Sequence, residues 1–270
     1  IGLSLVGSEM CIRDRVRYVN LDCRTDRREY MENQFDMMKI NFQRVSASKF
    51  SASTMSEWAS EYVDGPVPKI PSYALGNSLT HLEIIKEWVT NTSEEYLLLM
   101  EDDYDLTLFQ YWNFDWEYLM NRVPYDWDCI QLGYESDEFL AFFLHPKLRH
   151  TYFGPVLLTR DYAEKILELH TSGDKYCFDK VLGSKKFKNY GTTVDYFIAH
   201  TGRTYCIPLI TTNVDSPSTE YGINISRPHH QKSKYAYYYW WMKKHLTFTL
   251  DEFFTYGKPN DNKMIISTSG

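Results

Sequence analysis

The first part of the chain switches between two hydrophobic periods. Residues 16–21, "VRYVNL", alternate and are β-branched, which predicts a strand, and residues 41–47, "NFQRVSA", predict a second one. The segment between them predicts a helix that begins at a Thr25 N-cap. Its apolar side is formed by Tyr30, Met31, Phe35 and Met38. Strand, helix and strand within about 30 residues form a βαβ unit.

The same alternation continues downstream. After a Ser-, Pro- and Gly-rich loop with one short helix at 50–72, Gly76 to Val89 predicts a helix, and "YLLLM" at 96–100 predicts a strand. The remaining predicted elements are a helix at 108–120, strands at 127–133, 153–159 and 204–210, and a helix at 160–170 capped by Thr159. Alternating strands and helices predict an α/β fold with a mostly parallel mixed central sheet flanked by helices.

The amino-acid composition of the chain changes after residue 226. We therefore predict a single domain at residues 16–226. The extension 227–270 is aromatic and basic, then polar. Tyr237, Trp241 and His245 recur at i, i+4 and i+8, which favours a terminal helix packed on the domain. Stacking on an acceptor glycan and contact with a membrane surface are the alternatives.

The first fifteen residues call for a separate interpretation. "SEMCIRDR" at 8–15 resembles one reading frame of a transposase-end adapter used in sequencing libraries. We therefore expect residues 1–15 to be a non-native translation and exclude them from fold reasoning. A short native lead-in or signal remnant is the alternative.

Composition argues against several classes of protein. The 270 residues carry a net charge of −7 without a sustained basic block, which argues against a nucleic-acid partner. Five scattered cysteines favour free thiols in a reducing compartment, and no apolar run reaches the length of a membrane span. We therefore expect a cytoplasmic protein without a transmembrane segment.

Negative charge concentrates where a predicted strand ends. In "YLLLMEDDYDL" the apolar run is followed at once by Glu101, Asp102, Asp103 and Asp105. Ligands of open α/β sheets bind beyond the carboxyl ends of strands, and carboxylate oxygens suit Mg²⁺ or Mn²⁺ together with substrate phosphates. The stretch predicts a metal–diphosphate site, with a solvated acidic turn that caps the next helix as the alternative.

Positive charge follows the first strand. Arg24, Arg27 and Arg28 lie at the start of the predicted helix, where cationic side chains oppose the helix dipole. Because the guanidinium fork suits phosphate, at least one of these arginines is expected to bind a nucleotide. The alternative is an ordinary solvated helix start.

Three segments taken together resemble the glycosyltransferase family 25 pattern. They are "VNLDCRTDRREYM", "ALGNSLTHLEIIKEWV" and "EEYLLLMEDDYDL", and weaker matches extend the resemblance over residues 16–220. That family includes lipooligosaccharide galactosyltransferases and collagen hydroxylysine galactosyltransferases. The chain departs from the pattern at Cys23, at Thr80 in place of a serine before His81, and at Tyr104 in place of a small aliphatic residue.

The resemblance implies a GT-A type, Rossmann-like fold and an inverting transfer of a hexose. The hexose, galactose or glucose, would move from a UDP-sugar to a hydroxyl of a lipopolysaccharide-type glycan or of a protein, with Mn²⁺ or Mg²⁺ as cofactor. Asp103 would bind the metal directly, together with Asp105 or Glu101, to neutralise the leaving diphosphate. The nucleotide would contact Asn20, Asp22, Arg24, Arg27, Arg28 and Asp102.

The resemblance also implies a general base for the acceptor hydroxyl. Asp195 is the first candidate by its place in the pattern and Asp128 the second, while a structural helix-cap role for Asp195 stays open. His81 is a candidate site residue, or else a packed histidine on an apolar helix face. A late histidine, His200, His229 or His230, would complete the metal site.

Two other classes of function remain at this point. A carboxylate-metal phosphohydrolase could use the same acids with Asp22 as an early nucleophile. A relative that binds nucleotide-sugar or glycan without catalysis is the second alternative.

Overall fold

The structure is a computed structural model. It describes residues 16–50, 55–112, 114–136, 138–148, 153–178, 193–213, 228–244, 251 and 265–267. The expected non-native segment 1–15, residue His245 and the side chain of His229 lie outside this description.

The described residues form thirteen strands and seven α-helices. The strands are β1 (Val16–Asn20), β2 (Phe42–Ser46), β3 (Tyr96–Glu101), β4 (Tyr104–Asp105), β5 (Cys129–Gln131), β6 (Phe139–Ala141), β7 (His145–Pro146), β8 (Val156–Thr159), β9 (Thr171–Ser172), β10 (Lys175–Tyr176), β11 (Thr204–Cys206), β12 (Thr211–Thr212) and β13 (Ile265–Ser267). The helices are α1 (Thr25–Met38), α2 (Met55–Tyr62), α3 (Ser72–Asn91), α4 (Trp116–Met120), α5 (Arg160–His170), α6 (Val194–Ala199) and α7 (Pro228–Lys244). Two short 3₁₀ helices cover Ser48–Phe50 and Thr107–Tyr111.

Seven strands form the central sheet in the order β2-β1-β3-β8-β5-β11-β7. Strands β1, β2, β3, β5 and β11 run in one direction, whereas β8 and β7 run against them. The predicted α/β class with a mostly parallel mixed sheet flanked by helices is confirmed.

The sheet divides the core into two layers. Along β3, Leu98 and Met100 pack on one side while Leu97 and Leu99 pack on the other, as the two-residue period of a strand requires. Helices α1 and α7 cover the first side, and α3, α5 and α6 cover the second. Because both faces are covered, β3 is a continuous apolar run until it reaches Glu101 at the sheet edge.

The order β2-β1-β3 creates a switch point. From β1, the chain crosses through α1 to β2 on one side, and β3 then pairs with β1 on the other side. In open α/β sheets the crevice at a switch point, beyond the carboxyl ends of the strands, is where ligands bind. Asn20 and Glu101 end β1 and β3 at this position.

Several predicted helix boundaries need correction. Thr25 is the first helical residue of α1, and Arg24 occupies the cap position without a side-chain cap bond. The helix predicted at 108–120 is instead a 3₁₀ turn followed by α4, which is capped by Asp115. The predicted cap of α5 is confirmed, because the Thr159 side chain accepts a hydrogen bond from the backbone N–H of Tyr162.

Helix α7 packs on the first side of the sheet. Tyr237 and Trp241 are fully buried, and the indole Nε1 of Trp241 donates to the Pro208 carbonyl at 3.0 Å. Tyr235 and Tyr239 remain exposed on the outer face. Among the described helices, none combines the length and apolar character needed to cross a bilayer.

Two glycines allow the backbone to close tightly beyond β5. A Cβ on Gly154 would lie 1.8 Å from the Gly133 carbonyl oxygen, and a Cβ on Gly133 would lie 2.0 Å from the Ile210 carbonyl oxygen. No backbone carbonyl can yield that far, so both positions require glycine for space. The contact fixes the segment that leads to Glu135 at the carboxyl edge of the sheet.

We expect Gly154→Ala to lower the free energy of unfolding by at least about 2 kcal/mol, because overpacking against a carbonyl forces a backbone shift. Gly173→Asn is the matched control, since Gly173 has φ of 61° in open space and Asn tolerates that conformation. Urea unfolding of both variants measures the difference. Equal stabilities would contradict the close approach.

Candidate functional site

One carboxylate joins the first strand, the first helix and the third strand. Asp102 directly follows β3, and its Oδ2 accepts a hydrogen bond from Asn20 Nδ2 at 2.7 Å. Its Oδ1 accepts from Arg27 Nη1 at 2.7 Å. Asp102 is 8% exposed, so its charge is balanced inside the protein by Arg27. We call Asn20, Arg27 and Asp102 the clamp.

The clamp presents Asp103 to the crevice. Arg27 Nη1 lies 3.3 Å from Asp103 Oδ2, and the Asp103 side chain is 28% exposed. Burial, together with the charges of Asp102 and Glu135, raises the pKa of Asp103 to about 6, against the lowering effect of Arg27. Negative charge around Asp103 is therefore only partly compensated, which is the environment that favours a bound cation.

A second carboxylate comes from beyond β5. Glu135 is 4% exposed, and its Oε2 lies 2.6 Å from Nδ1 of His230 on α7. Thr212 on β12 donates its hydroxyl hydrogen to the other oxygen of Glu135. The sequence analysis did not identify Glu135, although an acid shortly after a strand that ends at this edge was a usable signal.

Strands β4 and β12 tie these groups together. They pair in antiparallel fashion, with Tyr104 opposite Thr212, and the Asn213 N–H donates to the Asp103 carbonyl at 2.5 Å. Tyr104 is 3% exposed. Burial raises the pKa of Tyr104 well above its ordinary value, and the charges of nearby carboxylates add to the effect. Those carboxylates are Glu101, Asp103, Glu135 and Asp195.

The other two acids of the predicted motif have structural partners. Glu101 accepts a hydrogen bond from Asn77 Nδ2 of α3 at 2.9 Å. Asp105 is 4% exposed and accepts hydrogen bonds from the Thr107 N–H at 3.0 Å and from the Tyr238 hydroxyl at 2.8 Å. Asp105 therefore anchors α7 and bonds to the first residue of the following 3₁₀ helix.

Three of the predicted nucleotide contacts, Arg24, Arg28 and Asp22, form ion pairs with neighbouring side chains. Arg24 binds Asp26 through two hydrogen bonds of 2.8 and 2.7 Å, and Arg28 pairs with Glu32 at 3.0 Å. Asp22 accepts hydrogen bonds from Arg44 and from the Ser46 hydroxyl. These bonds hold the pKa of Asp22 down at about 2, with the Arg44 bond as the largest cause.

Asp195 lies at the first turn of α6 and is half-buried. Burial raises its pKa, whereas Lys147 and the Phe153 N–H lower it. Lys147 is itself held at the end of β5, where its Nζ donates to Gln131 Oε1 at 2.9 Å. Asp195 is thus near the same sheet edge as the clamp and acts electrostatically on the Tyr104 hydroxyl.

Asp128, the second predicted base, is on the opposite edge of the sheet. It precedes β5, which runs parallel to β11, so it lies at the amino end of these strands. Its Oδ2 accepts from the Arg203 N–H at 2.7 Å. The structure does not bring Asp128 to the clamp.

His81 is fully buried inside α3. Its Nδ1–H donates to the Asn77 carbonyl at 2.9 Å, and its ring packs edge-on against Phe153. Burial lowers the pKa of His81 to about 4. His81 therefore belongs to the core behind the site. His200 is exposed and stacks on Tyr196, so of the late histidines with described side chains, His230 is the one beside the acids.

A divalent cation fits the chemistry of this donor set. Within the described ranges, no three His, Cys, Asp or Glu side chains are already arranged to hold a metal ion. However, Asp103 combines partial exposure with negative charge that Arg27 compensates only in part, and Glu135 and His230 act on it electrostatically. Carboxylate oxygens with one imidazole suit Mn²⁺ or Mg²⁺.

The buried His81 predicts a pH dependence of stability. Its folded-state pKa of about 4 lies below the unfolded value of about 6.5, so the unfolded state takes up the proton first. His81 should therefore cost the protein about 3 kcal/mol of stability as pH falls from about 6.5 to 4. Measured by urea unfolding, the stability difference between wild type and His81→Gln should shrink over this range. A pH-independent difference would contradict the burial of a neutral imidazole.

Comparisons with known proteins give structural likeness without a family match. No family model matches the chain, and no curated protein matches it. A solved structure described as the crystal structure of A197 from STIV is similar, with a TM-score of 0.39 and 10% sequence identity. The likeness covers 73% of this chain and 83% of A197.

Proposed function

We propose that the chain is a metal-dependent inverting glycosyltransferase with a GT-A type fold, related to glycosyltransferase family 25. It would transfer a hexose from a UDP-sugar to a hydroxyl of a glycan or protein. The observation that carries the proposal is the clamp at the β1–β3 switch point, which leaves Asp103 facing the crevice beside Arg27.

The location suits a nucleoside diphosphate. Ligands of open α/β sheets bind at such a switch point, and α1 begins shortly after the carboxyl end of β1. Arg27 lies in the first turn of α1 and is 11% exposed in its side chain. A guanidinium at a helix N-terminus is a suitable partner for a diphosphate oxygen.

The metal would be held at Asp103, with Glu135 and His230 as the adjacent donors. Asp105 and Glu101 bond to α7 and α3, whereas Glu135 and His230 bond to each other and would exchange that contact for the cation. A bound Mn²⁺ or Mg²⁺ would neutralise charge on the departing diphosphate. Arg27 would contribute positive charge to the same leaving group from the protein itself.

Asp195 is the residue we propose as general base. An inverting transfer needs a base on the acceptor side of the sugar, and Asp195 approaches the site from α6 while the clamp belongs to β1, α1 and β3. Burial raises its pKa toward the range useful for proton transfer, and Lys147 favours its ionised form.

The three segments that carry the sequence resemblance lie close together at the carboxyl edge of the sheet. The three segments that resemble family 25 supply Asn20 and Arg27, Asn77, and Glu101 and Asp102, and hydrogen bonds connect the first and the second segment to the third at the carboxyl edge. A phosphohydrolase with Asp22 as nucleophile is less well supported, because Arg44 and Ser46 already engage that carboxylate.

The test is UDP release from a panel of UDP-sugars with Mn²⁺ and glycan acceptors. Asp103→Asn should lower the rate at least about a hundredfold, because the charge that holds the cation is lost. Asp128→Asn is the matched control at the opposite sheet edge and should keep the wild-type rate. Equal rates for Asp103→Asn and wild type would reject the metal assignment.

The same assay examines Asp195. Asp195→Asn should lower kcat by about 10²- to 10⁴-fold while UDP-sugar binding persists, because only proton transfer is lost. Tight UDP-sugar binding without turnover in the wild type would instead indicate a non-catalytic binding protein. Phosphate release from simple esters would favour a phosphohydrolase.

A further inference from the structure

Helix α7 exposes a row of large, partly apolar side chains on its outer face. Tyr235, Tyr239 and Met242 are 77%, 56% and 50% exposed. Because they are spaced at i, i+4 and i+7, they lie in one row along the helix. We call these three residues the outer stripe. A single exposed apolar residue is common on a protein surface, whereas several in a row indicate an interaction surface.

The opposite face of α7 fixes how the outer stripe is presented. Tyr237 and Trp241 are fully buried, and the Tyr237 hydroxyl donates to the Tyr134 carbonyl at 3.0 Å. The Tyr238 hydroxyl donates to Asp105 Oδ2 at 2.8 Å. A rotation of α7 that buried the outer stripe would break these contacts, so the stripe is held facing outward on a packed helix.

The exposed face of α7 is basic, although the protein as a whole is acidic. The net charge of the chain is −7, yet the sequence of α7, "PHHQKSKYAYYYWWMKK", contains lysines and no Asp or Glu. Lys232 and Lys243 are exposed, and they lie one turn before Tyr235 and one turn after Tyr239. Positive charge therefore flanks the outer stripe at both ends, which favours an anionic partner.

The shape and chemistry of this face suit the surface of a bilayer. The outer face of a helix is convex, whereas small molecules bind in concave sites. At a membrane surface, tyrosine rings lie at the level of the lipid headgroups, and an apolar side chain such as Met242 enters the boundary with the acyl chains. Lysine stems lie along apolar surface while their ammonium groups reach anionic headgroups.

We propose that the outer stripe, together with Lys232 and Lys243, docks the protein on a membrane surface that contains anionic lipids. In the docked state α7 lies in the plane of that surface and stays packed on the domain. Its first turn carries His230, which bonds to Glu135 at 2.6 Å, so the end of α7 beside the headgroups is also the end that reaches the candidate site. Docking is reversible, because few side chains contribute to it.

The test is co-sedimentation of the full chain with sucrose-loaded vesicles. Vesicles of phosphatidylcholine alone are compared with vesicles of phosphatidylcholine and phosphatidylglycerol in equal parts. One variant combines Tyr235→Ser with Tyr239→Ser, and a second combines Lys232→Glu with Lys243→Glu. Tyr125→Ser is the matched control, because Tyr125 is 100% exposed but belongs to the loop between α4 and β5.

Wild type should bind the vesicles that contain phosphatidylglycerol and not those of phosphatidylcholine alone, and added salt should weaken the binding. The lysine variant should bind at least about tenfold more weakly, because each lysine near an anionic surface contributes about fivefold. The tyrosine variant should also bind about tenfold more weakly, since it loses the apolar contact. Tyr125→Ser should bind as wild type does. The substituted side chains are exposed, so every variant should keep the wild-type Tm.

Several results would overturn the proposal. If wild type does not bind the anionic vesicles, or if the lysine variant binds them equally well, α7 does not dock the protein. If sedimentation velocity shows a wild-type dimer that the tyrosine variant dissociates, the outer stripe is a contact between two copies of the chain. If the stripe instead binds a soluble lipopolysaccharide-type glycan without binding vesicles, it is a glycan surface. Vesicle binding requires no nucleotide, so each of these outcomes is independent of the proposed transferase activity.

Discussion

The architecture of the candidate site depends on the buried ion pair between Arg27 and Asp102. Asn20 completes it, so that β1, α1 and β3 meet at one carboxylate. Removing one partner of a buried pair costs about 3–5 kcal/mol, because the remaining charge stays desolvated. The pair therefore has two roles. Its bonds hold β1, α1 and β3 together at the switch point, and they determine the position of the neighbouring Asp103.

The four acids at and after the end of β3 have different bonding partners. Asp102 closes the clamp, Asp105 anchors α7, and Glu101 bonds to α3, which leaves Asp103 for the crevice. Glu135 then adds a carboxylate from another part of the sheet. Spreading the negative charge over separate partners lets so many acids share one sheet edge without unpaired burial.

The sequence predicted those features that depend on local pattern. Hydrophobic periodicity located β1, α1, α3 and β3, and the end of the apolar run placed Asp103 at the carboxyl edge of the sheet. Contacts between residues that are far apart in the sequence could not be predicted from local pattern. The engagement of Asp105 by Tyr238 depends on α7, which is 133 residues away along the chain. Glu135 reaches the site only through the sheet order. His81 has the pattern of a site residue, yet helix packing buries it.

The most direct test of the account is Mn²⁺ binding measured by electron paramagnetic resonance, with and without UDP. If Asp103 and Arg27 form a joint cation and diphosphate site, each ligand should strengthen the binding of the other by the same factor. We predict at least about tenfold tighter Mn²⁺ binding at saturating UDP, and loss of this coupling in Arg27→Met. Mn²⁺ affinity that does not change with UDP would contradict the central claim that the clamp builds a metal–diphosphate site.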